Sequence, residues 1–145
     1  MEKKYKLTEE TLKVYDKTLY RIEALKDFND VKKGDKGGFI ENENNLSQRG
    51  NCWIYDNAKV LGGAMVCCNA KVYGNAKICD YAEVYDNAEV FGNAYVCGNA
   101  EIYGDAKVYE NAEAYDDVKI YGNAKVYGYA TVQWNAKVYG TDEVY

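Results

Sequence analysis

The sequence predicts an all-β chain: a stack of short strands with a β-hairpin at its N-terminal end. Three observations predict it. From Asn57 to Tyr145 the 145-residue chain reads in sixes without a slip of register. Within each six, small and larger apolar residues alternate with polar ones at period two, which is strand periodicity. The first 50 residues lack the period and instead show two alternating runs with a break between them.

Taken in chain order, Leu12 and Val14 alternate, Asp16-Lys17 interrupts, and Tyr20, Ile22 and Ala24 alternate again, which predicts the hairpin. Val31 to Gly38 is turn-rich, with Gly34, Gly37 and Gly38, and Phe39-Ile40 and Leu46 lead on to Cys52-Trp53-Ile54. A stack of coils exposes a strand edge and an open core at its end, so residues 1–50 are expected to form an N-terminal cap and residues 51–145 the stack itself.

The hexads carry alanine at 58, 64, 70, 76, 82, 88, 94, 100, 106 and 112, lapse to Val118, and resume at Ala124, Ala130 and Ala136. Two places later stand Val60, Val66, Val72, Ile78, Val84, Val90, Val96, Ile102 and Val108, and the column runs on to Val144 with one substitution, Ala114. Gly-Asn pairs such as Gly74-Asn75 follow, and these residue types accept the positive φ of a sharp corner. Six residues bury nothing alone, so stacking must supply the core.

The pattern Val-x-x-x-Ala-x resembles the hexapeptide repeat of the trimeric, left-handed parallel β-helix proteins, a superfamily rich in acyltransferases. The resemblance implies three hexads per triangular coil, hence a left-handed parallel β-helix of about five coils for fifteen hexads. A second stretch, Leu19-Tyr20-Arg21-Ile22 through Gly37-Gly38-Phe39-Ile40-Glu41 to Asn45-Leu46-Ser47, resembles the leader of β-helix proteins common in bacteriophage and prophage genomes, which are often labelled transferases without direct evidence.

With 18 residues per coil, residues 18 apart share a face. Tyr55, Tyr73, Phe91, Tyr109, Tyr127 and Tyr145 form one aromatic column, and Cys67, Tyr85, Tyr103, Tyr121 and Tyr139 a second. Stacked rings stabilise a parallel sheet, and tyrosine also suits a contact surface. Tyr73, Phe91, Tyr109, Tyr127, Tyr85, Tyr103, Tyr121 and Tyr139 are therefore the candidate binding surface. The third column, Leu61, Cys79, Cys97, Tyr115 and Gln133, lies with Tyr95 and Thr131 on the least charged face. Leu61, Cys79, Tyr95, Cys97 and Tyr115 are the candidate oligomer interface, and the resemblance implies a homotrimer.

Composition excludes several functions. Residues 1–56 hold 11 Lys/Arg and 11 Asp/Glu, whereas 57–145 hold 7 Lys, no Arg and 12 Asp/Glu, so the whole net charge of −5 sits on the stack. The clustered Lys/Arg that nucleic acid needs is absent there. No apolar run spans a membrane, and Met1-Glu2-Lys3-Lys4-Tyr5 lacks a signal h-region, so a cytoplasmic protein is expected. Cys52, Cys67, Cys68, Cys79 and Cys97 form an odd set with no CxxC and read as free thiols. There is no histidine, so neither the base that acyltransferases of the resembled class use nor the three-histidine metal site of the related carbonic anhydrases has a candidate. Cysteine nucleophiles have no base partner, Asp116-Asp117 and Asp142-Glu143 fall where the hexad varies, and 57–145 carries no pocket-building insertion.

The expectation is therefore no enzyme, no catalytic residue, no cofactor and no metal. The expected role is a non-catalytic binding or interaction protein, phage-encoded by the second resemblance, that acts on a host protein, for instance as an inhibitor of host defence, or sequesters a small ligand. A degenerate or atypical hexapeptide-repeat acyltransferase and a purely structural spacer are the alternatives.

Overall fold

The computed structural model describes residues 2–145. Strands β1 (Tyr5–Val14) and β2 (Lys17–Ala24) form the expected antiparallel hairpin, turning at Tyr15, whose φ is +57°. Strand β3 (Lys36–Ile40) joins cap to stack: one edge pairs antiparallel with β2, Tyr20 opposite Ile40, and the other pairs parallel with β5 (Lys59–Val60), Ile40 opposite Val60. Gly37 and Gly38 permit this junction. An added Cβ at either would stand 2.5 Å from a backbone oxygen, that of Ile54 or Ala58.

From Trp53 onward the strands are two residues long and stack in parallel, with partners 18 residues apart. They make three faces. The cysteine face continues β3 and β5 with β8 (Lys77–Ile78), β11 (Tyr95–Val96), β14 (Glu113–Ala114) and β17 (Thr131–Val132). The first tyrosine face holds β4 (Trp53–Ile54), β7 (Lys71–Val72), β10 (Glu89–Val90), β13 (Lys107–Val108), β16 (Lys125–Val126) and β19 (Glu143–Val144). The second holds β6 (Met65–Val66), β9 (Glu83–Val84), β12 (Glu101–Ile102), β15 (Lys119–Ile120) and β18 (Lys137–Val138).

The all-β, parallel β-helix class is as expected, but the stack has about six coils where the hexads predict about five. The additional coil is built from β3, a bridge from Leu46 to Val66, and β4. It escapes the hexad pattern because side chains replace repeat chemistry at its corner. Asn45, fully buried in the single turn Glu43–Asn45, accepts from the N–H groups of Glu41 and Asn42 and donates to the carbonyls of Gly62 and Ala64.

Each hexad places Val or Ile and Ala inward, and nearly all of these are fully buried. The corner residue is left-handed throughout. It is Gly at positions such as Gly74, Gly92 and Gly98, an acidic residue at others such as Asp80, Asp86 and Glu110, and Cys68 or Trp134 at two more. The acidic corners compensate for their strain by accepting from the N–H one coil on. Asp86 Oδ2 lies 3.1 Å from Gly104 N, Asp80 Oδ2 2.9 Å from Gly98 N, and Asp116 Oδ2 2.9 Å from Trp134 N. Asp116 is thus a corner cap within the repeat.

Candidate functional site

The outward columns form the ladders that 18-residue spacing predicts. Tyr73, Phe91, Tyr109, Tyr127 and Tyr145 stack with centroids 4.6–5.3 Å apart, and Tyr85, Tyr103, Tyr121 and Tyr139 stack at 4.9–5.4 Å. Upper members of each ladder are tied down: Tyr73 donates to Glu89 Oε1 at 2.8 Å and Tyr85 to Glu101 Oε1 at 3.0 Å. Burial in the stack raises both phenols above the usual tyrosine range, and the carboxylate each faces raises them further. Glu101 also holds Lys119 at 2.9 Å, which draws its own carboxyl below the ordinary value. Ladder and charges are therefore one network on each face.

The first ladder breaks at Tyr55, which meets Tyr73 edge-on at 6.1 Å and donates to Asp30 Oδ1 at 2.8 Å instead. That break opens a cleft of about 260 Å³ between the Phe28–Val31 loop and the first tyrosine face, lined by Asp30, Tyr55, Asp56, Lys71, Tyr73 and Glu89. Three carboxylates and one ammonium face it, with phenols between them. A second depression, shared through Lys71 and Glu89, is lined by Asn29, Asn51, Asn69 and Asn87. Sequence reasoning missed this cleft because Asp30 comes from the cap, where no repeat signals what lies opposite.

On the cysteine face, Leu61 (3%), Cys79 (8%) and Cys97 (8%) are scarcely exposed. The hairpin lies over them: Leu12, Val14 and Leu19 pack into the same cluster with Phe39, and the tip residue Tyr15 accepts from Lys77 Nζ at 3.0 Å. Tyr95 and Tyr115 remain half-buried at the margin, with Tyr115 donating to Gln133 at 2.7 Å. The face presented beyond the hairpin tip is accordingly narrower than the residue column suggests. All five cysteines are free thiols. Burial raises the Cys79 thiol and pushes Cys97 up to about 11. Cys67 and Cys68 stand 3.4 Å apart at a corner of the second tyrosine face.

One buried charge belongs to the cap. Lys4 Nζ donates to the carbonyls of Arg49, Gly50 and Cys52 and approaches Cys52 Sγ at 3.3 Å. Burial lowers the lysine's pKa and raises the thiol's. The lysine closes the top of the first coil by satisfying carbonyls that have no strand above them. Among the described residues no helix is long and apolar enough to cross a membrane.

No protein-family model matches the chain. Over 49 residues it is 55% identical to a protein of Escherichia coli (strain K12) named uncharacterized acetyltransferase YdcK. The matched segment is 33% of this chain and spans 15% of that relative's length. A parallel β-solenoid with an 18-residue repeat and a relative of that name agree with the resemblance to hexapeptide-repeat, acyltransferase-like β-helix proteins. The same match corrects the expectation that the chain is not an enzyme. That expectation rested on the missing histidine, and the relative's name points to enzymatic activity instead. The physical reason is that imidazole is one base among several; a carboxylate takes a proton too when its environment tunes it.

Proposed function

We propose that this chain is a binding and assembly module of an acetyltransferase-like β-helix protein, associating with further copies of itself as a homotrimer and offering its tyrosine ladders to a protein partner. One observation supports this reading above the others: two flat faces carry stacked rings over four or more coils with no loop interrupting them. Rings held by their neighbours lose little entropy on contact, and tyrosine combines apolar area with a polar edge. The hexapeptide-repeat type of solenoid is commonly trimeric. Sedimentation of the chain at micromolar concentration tests the assembly. Three chains per particle is the expected result, and a monomer defeats it. Tyr121→Arg, which puts a hydrated charge into a ladder, separates a ladder interface from one on the cysteine face.

The YdcK match favours a second reading, acetyl transfer by this β-helix. Glu89 in the cleft, flanked by Lys71 across the strand pair and by the Tyr73 hydroxyl, then supplies the base. Acetyl-CoA turnover with amine and hydroxyl acceptors should be saturable and fall at least about 100-fold in Glu89→Gln, the usual scale of a general base. Undiminished turnover in the variant removes Glu89 from the chemistry.

A further inference from the structure

We infer that Cys79, Cys97 and Asp80 form a binding site for a thiophilic divalent cation of the zinc and cadmium class. The two sulfurs and a carboxylate oxygen of Asp80 all lie within 4.8 Å of one another. The repeat itself creates this arrangement. Cys79 and Cys97 occupy the same outward position on adjacent strands, since Ile78 pairs with Val96 in register. Asp80 is the corner residue that follows Cys79, at φ +60°, and the Gly98 N–H fixes its carboxylate by holding Oδ2 at 2.9 Å. The acid is thereby turned toward the coil that carries Cys97, with its second oxygen left for a ligand.

The surroundings suit a soft ion. The thiols are 8% exposed, with the apolar cluster of Leu12, Val14, Leu19, Phe39 and Leu61 beside them, while Asp80 is exposed and leaves an entry from solvent. An apolar shell around a metal site limits solvent access and lowers the local dielectric, which strengthens the attraction between thiolate and cation. The Tyr95 hydroxyl stands 3.5 Å from Cys79 Sγ, at hand to bond a metal-bound water or complete the set. Two thiolates and a carboxylate around a divalent cation leave one negative charge, and Lys77, whose ammonium lies 5.6 Å from the Tyr95 ring centroid, balances it. Magnesium and calcium demand oxygen ligands and are disfavoured here. Binding forms two metal–sulfur bonds and releases two thiol protons to solvent, with no change of oxidation state. Spacing rules for zinc look for cysteines two to four residues apart within one loop. Here the thiols meet across one coil, 18 residues apart, so no CxxC is needed.

The test is titration of the reduced 145-residue chain, in a thiol-free reductant, with cadmium. One equivalent per chain should give a sulfur-to-cadmium charge-transfer band. Cys79→Ser and Cys97→Ser should each abolish it; polar Gln133 in the same outward column shows that the position accepts such a side chain. Asp80→Asn keeps an acceptor for the Gly98 N–H and should weaken cadmium at least about tenfold, the lower end of what losing even a supporting ligand contact costs. The double variant Cys67→Ser/Cys68→Ser, which removes the rival thiol pair, should bind as the parent does. Absence of the band in the parent, its survival in either single cysteine variant, or its loss in the Cys67/Cys68 variant overturns the site. None of these readouts depends on assembly or on acetyl transfer.

Discussion

At the scale of single residues, the buried polar side chains among the described residues are answered. No buried side-chain nitrogen or oxygen among the described residues lacks a hydrogen-bond partner. Tyr5 illustrates the consequence. Its ring packs edge-on to Trp53 at 6.2 Å and its hydroxyl donates to the Leu46 carbonyl at 2.6 Å. Burial raises its pKa, and Tyr55, Tyr73 and Tyr85 are raised as well. A tyrosine raised in the folded state favours folding fully below its unfolded pKa of about 10. Above that pH the unfolded chain sheds the proton first, and the contribution is lost as pH rises toward the folded values. Stability should therefore fall with pH above about 10, and phenolate absorbance should show a late group of tyrosines that appears together with loss of the fold. A chain whose tyrosines all titrate as free phenols while it stays folded contradicts the buried hydrogen bonds described for Tyr5.

At the scale of the element, the unit is a two-residue strand and its corner, and the corner carries much of the local specification. Asp86 stands at φ +56° and accepts from Gly104 N at 3.1 Å. Two effects combine: a side chain with a Cβ resists positive φ, and the cap gives back part of the difference. Asp86→Gly and Asp86→Asn should be nearly neutral. Asp86→Ala should cost about 1 kcal/mol for the lost cap, and Asp86→Val more, because a β-branched residue is a genuine outlier there. Thermal unfolding of the four variants checks the order, and a valine variant as stable as the glycine one removes strain from the account. The corner at Trp134, with φ +63° and its N–H held by Asp116, shows that a bulky residue is accepted when the coil before it supplies a cap.

At the scale of the whole molecule, coils repeat every 18 residues and each contacts mainly its neighbours, so stability follows nearest-neighbour rules. Removal of residues 99–116, one coil, keeps every column in register, brings Tyr121 beneath Tyr85, and should leave a folded, shorter prism. Deletion of Ala106 alone moves each later inward residue to the outside and should unfold the coils that follow. Circular dichroism and limited proteolysis distinguish the two; equal damage from both refutes a modular stack. The cap is outside this modularity. Its hairpin pairs with β3 and also covers the outward residues Leu61 and Cys79, so it ties the first coils together on two surfaces.

What the sequence determined by itself is everything the period reaches. Alternation at two and recurrence at six place Val72, Val90 and Val108 inside and Tyr103, Tyr121 and Tyr139 outside, because a parallel stack without insertions turns sequence spacing directly into spatial adjacency. The hairpin was legible from its break at Asp16-Lys17 for the same reason of local periodicity. Only the tertiary structure decided what the aperiodic part does. Asn45 and Leu46 build a sixth coil without a hexad. Tyr15 lies over Lys77, 62 residues away, and the hairpin covers the cysteine face. Asp30 draws Tyr55 out of its ladder and opens the cleft. These contacts join residues whose separation follows no repeat, and a single sequence carries no period from which such a meeting can be read.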